Sequence, residues 1–151
     1  MPPELDRADV LLAVVRAIHA DMESGPPGLE DVPEEQTAAA VILCTRPGVL
    51  AGLPVAEEVF RRLGVRLRPH AKDGVSVAAG DRIADVGGAL RSILTARRTA
   101  VGFLERLSSI ATGALDPDPG DPLDGYAAAL RMSPSPSVGD NGPRFELEVT
   151  D

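Results

Sequence analysis

Apolar positions along this chain change period several times, and each change marks a new element. The longest helical period lies in 89–112, ALRSILTARRTAVGFLERLSSIAT, a stretch without proline. Leu90, Ile93, Leu94 and Val101 open an apolar stripe there. Ala100, Phe103, Leu104, Leu107 and Ala111 continue it at i, i+3, i+4, i+7 and i+11. Arg91, Arg97, Arg98 and Arg106 stand against the stripe. The pattern predicts one long helix, the spine of the fold, with a basic face. A first helix is predicted over 5–22, with Leu11, Val14, Val15, Ile18 and Met22 on one side and Asp6 and Asp9 near its positive end. SGPPG at 24–28 stops it, and an acidic loop follows to Gln36.

Elsewhere the period shortens. TAAAVILCT, 37–45, reads as a buried strand closed by Arg46-Pro47-Gly48, with Val49 to Ala51 extended beyond that turn. Gly52 breaks it, and Pro54 suits the first turn of a helix running to about Leu63, with Val55, Val59 and Leu63 inward and Gly64 as its stop. Val65 to Arg68 alternates as a strand. In DGVSVAAGDRIADVGG, 73–88, the Asp73-Gly74 and Gly80-Asp81 turns flank Val75 and Val77, and Ile83, Ala84 and Val86 supply another strand. Short strands with glycine corners predict a small, strongly bent sheet. Biotinyl and lipoyl carrier domains share that spacing but need a modifiable lysine at a hairpin tip, and Lys72 is misplaced for it.

After Thr112 the texture loosens: 113–151 holds eleven Gly plus Pro among 39 positions. Tyr126 to Met132 can form one or two helical turns. RFELEVT alternates Phe145, Leu147 and Val149 with polar residues, which suits either an edge strand or a disordered acidic tail.

Composition narrows the classes. At 151 residues, 44% apolar and 25% charged, the chain fits one soluble domain. No apolar run is long enough to span a bilayer, and no signal segment opens the chain, so a cytoplasmic protein without membrane contact is expected. Cys44 is the single cysteine, read as a small core hydrophobe in a reducing compartment. His19 lies off the first helix's stripe and reads as a surface residue. Charge is segregated: 1–45 carries nine acids against two bases, 46–106 eleven bases against six acids, and 107–151 eight acids against two bases. The basic middle can balance its own flanks or meet an anion or an acidic partner. With three Phe, one Tyr, no Trp and a net charge of −8, nucleic acid is not an expected partner.

GVLAGLPVAEEVFRRL at 48–63 and DGVSVAAGDRIADVGGALRSILTARRTAVGFLERLSSIAT at 73–112 together resemble the N-terminal domain of quinolinate phosphoribosyltransferase, or nicotinate-nucleotide pyrophosphorylase (carboxylating). The likeness is collinear over about 10–112. It is most specific in Arg98-Thr99-Ala100, Phe103-Leu104, Arg106-Leu107-Ser108 and Ile110-Ala111-Thr112. The resemblance implies an α+β fold of the α/β-hammerhead, barrel-sandwich-like kind for a domain over 1–112; 113–151 is left as a Pro/Gly/Asp-rich tail, partly ordered at best, where the alternation offers a short strand at 144–150.

That family makes nicotinate mononucleotide, carbon dioxide and pyrophosphate from quinolinate and phosphoribosyl pyrophosphate, with Mg2+, in NAD biosynthesis. Its active site lies at the mouth of a C-terminal barrel, closed by the N-terminal domain of the other subunit of a dimer. By resemblance, Arg98 is the in-trans substrate-binding residue, since a guanidinium forks onto a carboxylate and quinolinate is a dicarboxylate. Arg97, Thr99 and Arg106 are its candidate supports, no catalytic or metal-binding residue is expected, and no cofactor is assigned to these residues.

Departures accompany the likeness. Arg97 replaces a usual Glu, Gly102 a usual Asn, and Ser109 a usual Gly, and SGPPGLEDVPEEQT replaces the turn after the first helix. Nothing after Thr112 resembles the barrel. The expectation is a family member reduced to its N-terminal domain, inactive alone. It binds or completes a partner, either in a homodimer or with a barrel-containing family enzyme, and meets quinolinate only in that complex. The alternative is half of a split phosphoribosyltransferase, active once joined to a separate barrel.

Overall fold

The computed structural model describes residues 4–23, 29, 31–131 and 142–150. Its elements run α1 (Arg7–Glu23), β1 (Thr37–Arg46), β2 (Gly48–Val49), α2 (Leu53–Arg62), β3 (Arg66–Pro69), β4 (Ser76–Val77), β5 (Arg82–Ala89), α3 (Leu90–Thr112), α4 (Pro122–Ala129) and β6 (Arg144–Val149). Four strands form an antiparallel sheet in the order β3-β5-β1-β6, and β2 pairs with β4 in a second, two-stranded sheet. This is the small antiparallel sheet with packed helices that the α+β reading anticipates.

Alternation along β1 decides which side of the sheet is covered. Ala40, Ile42 and Cys44 join the main core cluster; of the alternate residues, Ala39 is exposed and Leu43 half-buried, while Val41 is buried outside that cluster. From the neighbouring strands, Ile83, Ala84, Val86, Phe145 and Leu147 point the same way as Ile42. Against this face lies α3, with Ile93, Ala96, Ala100, Leu104, Leu107, Ile110 and Ala111 all buried. Small residues on that stripe let helix and sheet approach closely, and each fully buried Leu or Ile contributes about 1.5–3 kcal/mol. The helix begins one residue later than the pattern suggests and ends on Gly113, whose φ of 91° forms the left-handed cap that glycine adopts without strain.

α2 packs Val55, Ala56, Val59 and Phe60 into the same core, and Leu63, expected inward, is only half-buried just past its end. The first helix departs further from expectation. Val10 and Val14 are buried, while Leu12, Val15 and Met22 are 52%, 43% and 60% exposed. Its inward stripe is thus rotated to Val10, Val14 and Ile18. α1 leans on the rim of the core and buries one narrow line, so its sequence carries more apolar positions than its packing uses.

The tail is built onto the body. Asp121 caps α4, its carboxylate accepting from the backbone of Leu123 and Asp124, so this helix starts ahead of the Tyr126 turn read from sequence. Met132, the end of that reading, lies outside the described residues. β6 pairs with β1 from Ala40↔Val149 to Cys44↔Phe145, which makes it an edge strand of this sheet. Among the described residues, no helix is long and apolar enough to cross a membrane.

Candidate functional site

Charged residues along α3 divide into those already engaged and those left free. Arg91 donates to the Leu29 carbonyl at 3.0 Å and lies 3.6 Å from Glu34, so it straps the acidic loop onto the helix start. Arg106 forks onto Asp124, with Nε to Oδ1 at 3.2 Å and Nη2 to Oδ2 at 2.5 Å. Asp124 is 1% exposed and also accepts from the Asp118 backbone. Its hydrogen bond to Arg106 raises the guanidinium's pKa further, against the lowering effect of burial. Glu105 accepts from the backbone N–H of Phe145 at 3.1 Å, which ties α3 to β6. Thr99 is buried and donates its hydroxyl to Asp21, which ties α3 to α1.

Arg97 and Arg98 are exposed, and neither has an ion-pair or hydrogen-bond partner among the described residues. Both line a groove of about 830 Å³ between the end of α1, one flank of α3 and β6. Ile18, Met22, Leu94, Val101, Phe145 and Leu147 supply its apolar wall, and Gly102 opens its floor. Successive helix residues point about 100° apart, so the two guanidiniums reach different parts of the groove and cannot both grip one carboxylate. Of the residues singled out by sequence, the structure brings together Arg97, Arg98 and Thr99. Arg106 lies two turns away and is engaged in holding α4.

The Ser108–Thr112 run, which carried much of the resemblance, is structural. Ser108 Oγ accepts from Ala51 N at 2.9 Å and donates to Ala51 O at 3.1 Å. Thr112 Oγ1 accepts from Val49 N at 2.9 Å and donates to Ser108 O. These two hydroxyls satisfy the backbone where β2 leaves the sheet. Ser109 packs against Gly142 so closely that a Cβ there would sit 2.0 Å from Ser109 Oγ. Glycine is therefore required at 142, opposite the serine.

Sequence reasoning missed Asp73, read only as a turn residue. Its carboxylate accepts from Gly52 N and Leu53 N, at 2.9 and 3.0 Å, and from the Tyr126 hydroxyl at 2.6 Å. It thereby caps α2 from another part of the chain. Burial, then the hydrogen bond and charge of Asp73, push the Tyr126 phenol well above its ordinary range. Cys44 is 1% exposed with its thiol pushed up chiefly by burial, in keeping with a core hydrophobe. His19 is exposed and lies 3.3 Å from Glu23. Among the described residues, no group of three or more His, Cys, Asp or Glu side chains is placed to hold a metal ion. Of the carboxylates that line the groove, Asp21 and Glu105 are already engaged and Glu146 remains, so these residues do not form the oxygen ligand set magnesium needs.

The family described as quinolinate phosphoribosyl transferase, N-terminal domain, matches residues 14–108. The chain belongs to that family. Over 107 residues it is 34% identical to the nicotinate-nucleotide pyrophosphorylase [carboxylating] of Mycobacterium leprae, covering 64% of this chain and 36% of that one. A probable enzyme of the same name from Archaeoglobus fulgidus is 37% identical over 73 residues, 48% of this chain and 28% of the relative. The crystal structure of NadC from Streptococcus pyogenes superposes with a TM-score of 0.74 at 26% identity, covering 83% of this chain and 53% of that one. The chain spans about a third of the length of these curated relatives and about half of the solved chain.

Proposed function

We propose that this chain serves NAD biosynthesis as an N-terminal-domain component that completes a barrel supplied by a partner, and that it is not catalytic alone. The observation that carries the reading is the pair of free guanidiniums. Arg91, Glu105 and Arg106 are engaged within the chain, while Arg97 and Arg98 have no partner among the described residues and line a largely apolar groove. Arg98 occupies the position that, by resemblance, grips a carboxylate of quinolinate. A planar guanidinium beside an apolar wall suits an aromatic dicarboxylate, because the ring takes the wall and the carboxylate takes the fork. Partner contact would exclude water there and strengthen the charged hydrogen bonds.

Phosphoribosyl transfer requires charge stabilisation on the pyrophosphate as well as on quinolinate. Among the described residues the groove offers two arginines, and of its three carboxylates Asp21 and Glu105 are already engaged, which supports inactivity of the chain by itself. This component would work in the cytoplasm, in a homodimer or joined to a barrel-bearing family enzyme.

The test uses the chain together with a separately expressed barrel of the family. Turnover of quinolinate and phosphoribosyl pyrophosphate is measured for each alone and for the mixture, with association followed by size-exclusion chromatography. A complex is expected, and no turnover by the chain alone. If the complex is active, Arg98→Ala should lower turnover by about 100-fold, roughly 2.7 kcal/mol, without shifting stability by more than about 0.5 kcal/mol. Such activity would favour the split-enzyme form over a binding-only role. Turnover by the chain alone, or absence of any complex, would overturn the proposal.

A further inference from the structure

The four-stranded sheet has two edges, and they differ in what they offer a further strand. On the β3 edge, His70 N–H donates inward to Ile83 O at 2.8 Å, so by alternation Leu67 and Pro69 carry the outward backbone groups. Pro69 has no N–H to offer, which closes that edge as prolines on edge strands do. On the β6 edge, Thr150 N–H donates inward to Ala39 O at 2.8 Å, so Phe145, Leu147 and Val149 carry the outward groups. β1 has the matching parity, because Cys44 turns its own N–H and C=O away from β6, to Asp81 and Gly80. Glu105 takes the Phe145 N–H. The Phe145 carbonyl and both backbone groups of Leu147 and Val149 have no partner among the described residues. Leu147 is only 8% exposed, so an amide left open there is costly until something completes it. Glu105, Phe145, Glu146 and Leu147 all line the groove, so this edge faces it. At about 830 Å³ the groove is near the top of the roughly 300–1,000 Å³ range of small-molecule pockets, more room than a one-ring acid fills.

We propose that the outer edge of β6 is a strand-addition site for an extended peptide segment of another protein, apolar at alternate positions and basic between them. The peptide's N–H and C=O groups complete those of Leu147 and Val149, so affinity comes from the main chain and specificity from the side chains. Side chains opposite Phe145 and Leu147 turn the same way as these two, toward the apolar wall of the groove. Those opposite Glu146 and Glu148 turn the other way. Both glutamates are exposed and have no ion-pair partner among the described residues. Directly opposed residues on paired strands have Cβ atoms about 4.5–5.5 Å apart, which favours Lys or Arg at those two places and disfavours Asp or Glu. The pairing uses neither Arg97 nor Arg98, so it stands whether or not the groove meets quinolinate.

The probe is the peptide Val-Lys-Val-Lys-Val, acetylated and amidated, added to the whole chain at up to about 1 mM while amide hydrogen exchange is followed residue by residue. Exchange should slow at Leu147 and Val149 and stay unchanged at Glu146 and Glu148, whose amides already face β1. N-methylation of the three valines removes the donors aimed at β6 and should weaken binding by about tenfold or more. N-methylation of the two lysines, whose amides point away, should leave binding as it was. Val149→Pro removes an outward donor without entering the ladder with β1, and should weaken binding about tenfold while circular dichroism shows the chain folded. Glu146→Lys/Glu148→Lys should lose this peptide and take one with Glu in place of Lys. Equal binding of the two methylated peptides would mean simple charge attraction and would end the idea. So would unchanged exchange at Leu147 and Val149, or their protection without peptide in a concentration-dependent way, which would give the edge to a second copy.

Discussion

Asp73 engages three donors at once, two at the start of α2 and one from Tyr126 on α4. Gly52, at the N-cap of α2, has φ of 94° and no side chain with which to cap its own helix, so the cap must come from elsewhere. Tyr126 carries a pH signature of this arrangement. Its phenol is raised in the folded chain and has an ordinary value of about 10 when unfolded. The stability it contributes is complete below pH about 10 and is lost as pH rises toward the folded value, because only the unfolded state releases the proton. Denaturant titrations from about pH 9 to about pH 11.5 should show a fall in stability that Tyr126→Phe removes. An unchanged slope in the variant would mean another group titrates. The Arg106–Asp124 fork is a second such case. A guanidinium that sequence likeness offered as site support instead neutralises a carboxylate that is 1% exposed.

α3 combines both demands placed on the chain. One stripe is packed to the sheet, a second line of hydroxyls at Thr99, Ser108 and Thr112 answers backbone and Asp21, and a third flank faces the groove. Gly102 lies on that flank, where an added Cβ would meet nothing within 4 Å. A glycine inside a helix costs about 0.5–1 kcal/mol relative to alanine. Gly102→Ala should therefore raise stability by about that amount in chemical denaturation. A loss instead would show that the flank is tighter than the geometry indicates. The apolar period located this helix because a single stripe does most of its packing. It misjudged α1 because Val15 and Met22, read as inward, belong to no buried stripe, and periodicity alone does not say how deeply a helix seats.

At the scale of the whole molecule, α4 and β6, the described elements of the tail, pack onto the body. Phe145 is 3% exposed opposite Cys44, and α4 is bolted to α3 through Asp124. Its glycine and proline content suggested looseness, yet six alternating residues suffice for a strand when an edge of β1 is waiting. The chain should unfold in one transition, with far-ultraviolet circular dichroism and Cys44 thiol labelling moving together. Phe145→Ala should cost about 3–5 kcal/mol, a large share of a small domain's total, and speed Cys44 labelling accordingly. Labelling of the wild type well before the main transition would show instead that β6 opens alone.

Local chemistry alone marked much of this protein. Period, proline and glycine placed α2, α3, β1 and the hairpin strands, the charge blocks were visible, and the run from Arg98 to Thr112 pointed to the family, because each depends on neighbours a few positions away. What only the tertiary structure decided depends on residues far apart in sequence meeting in space. Asp73 lies about twenty positions from the helix it caps, as does Arg106 from the acid it neutralises. The separation of engaged from free arginines on one helix needed every partner in place. Pairing of β6 with β1 seats Phe145 opposite Cys44, and so brings residues from far apart in the chain into one core.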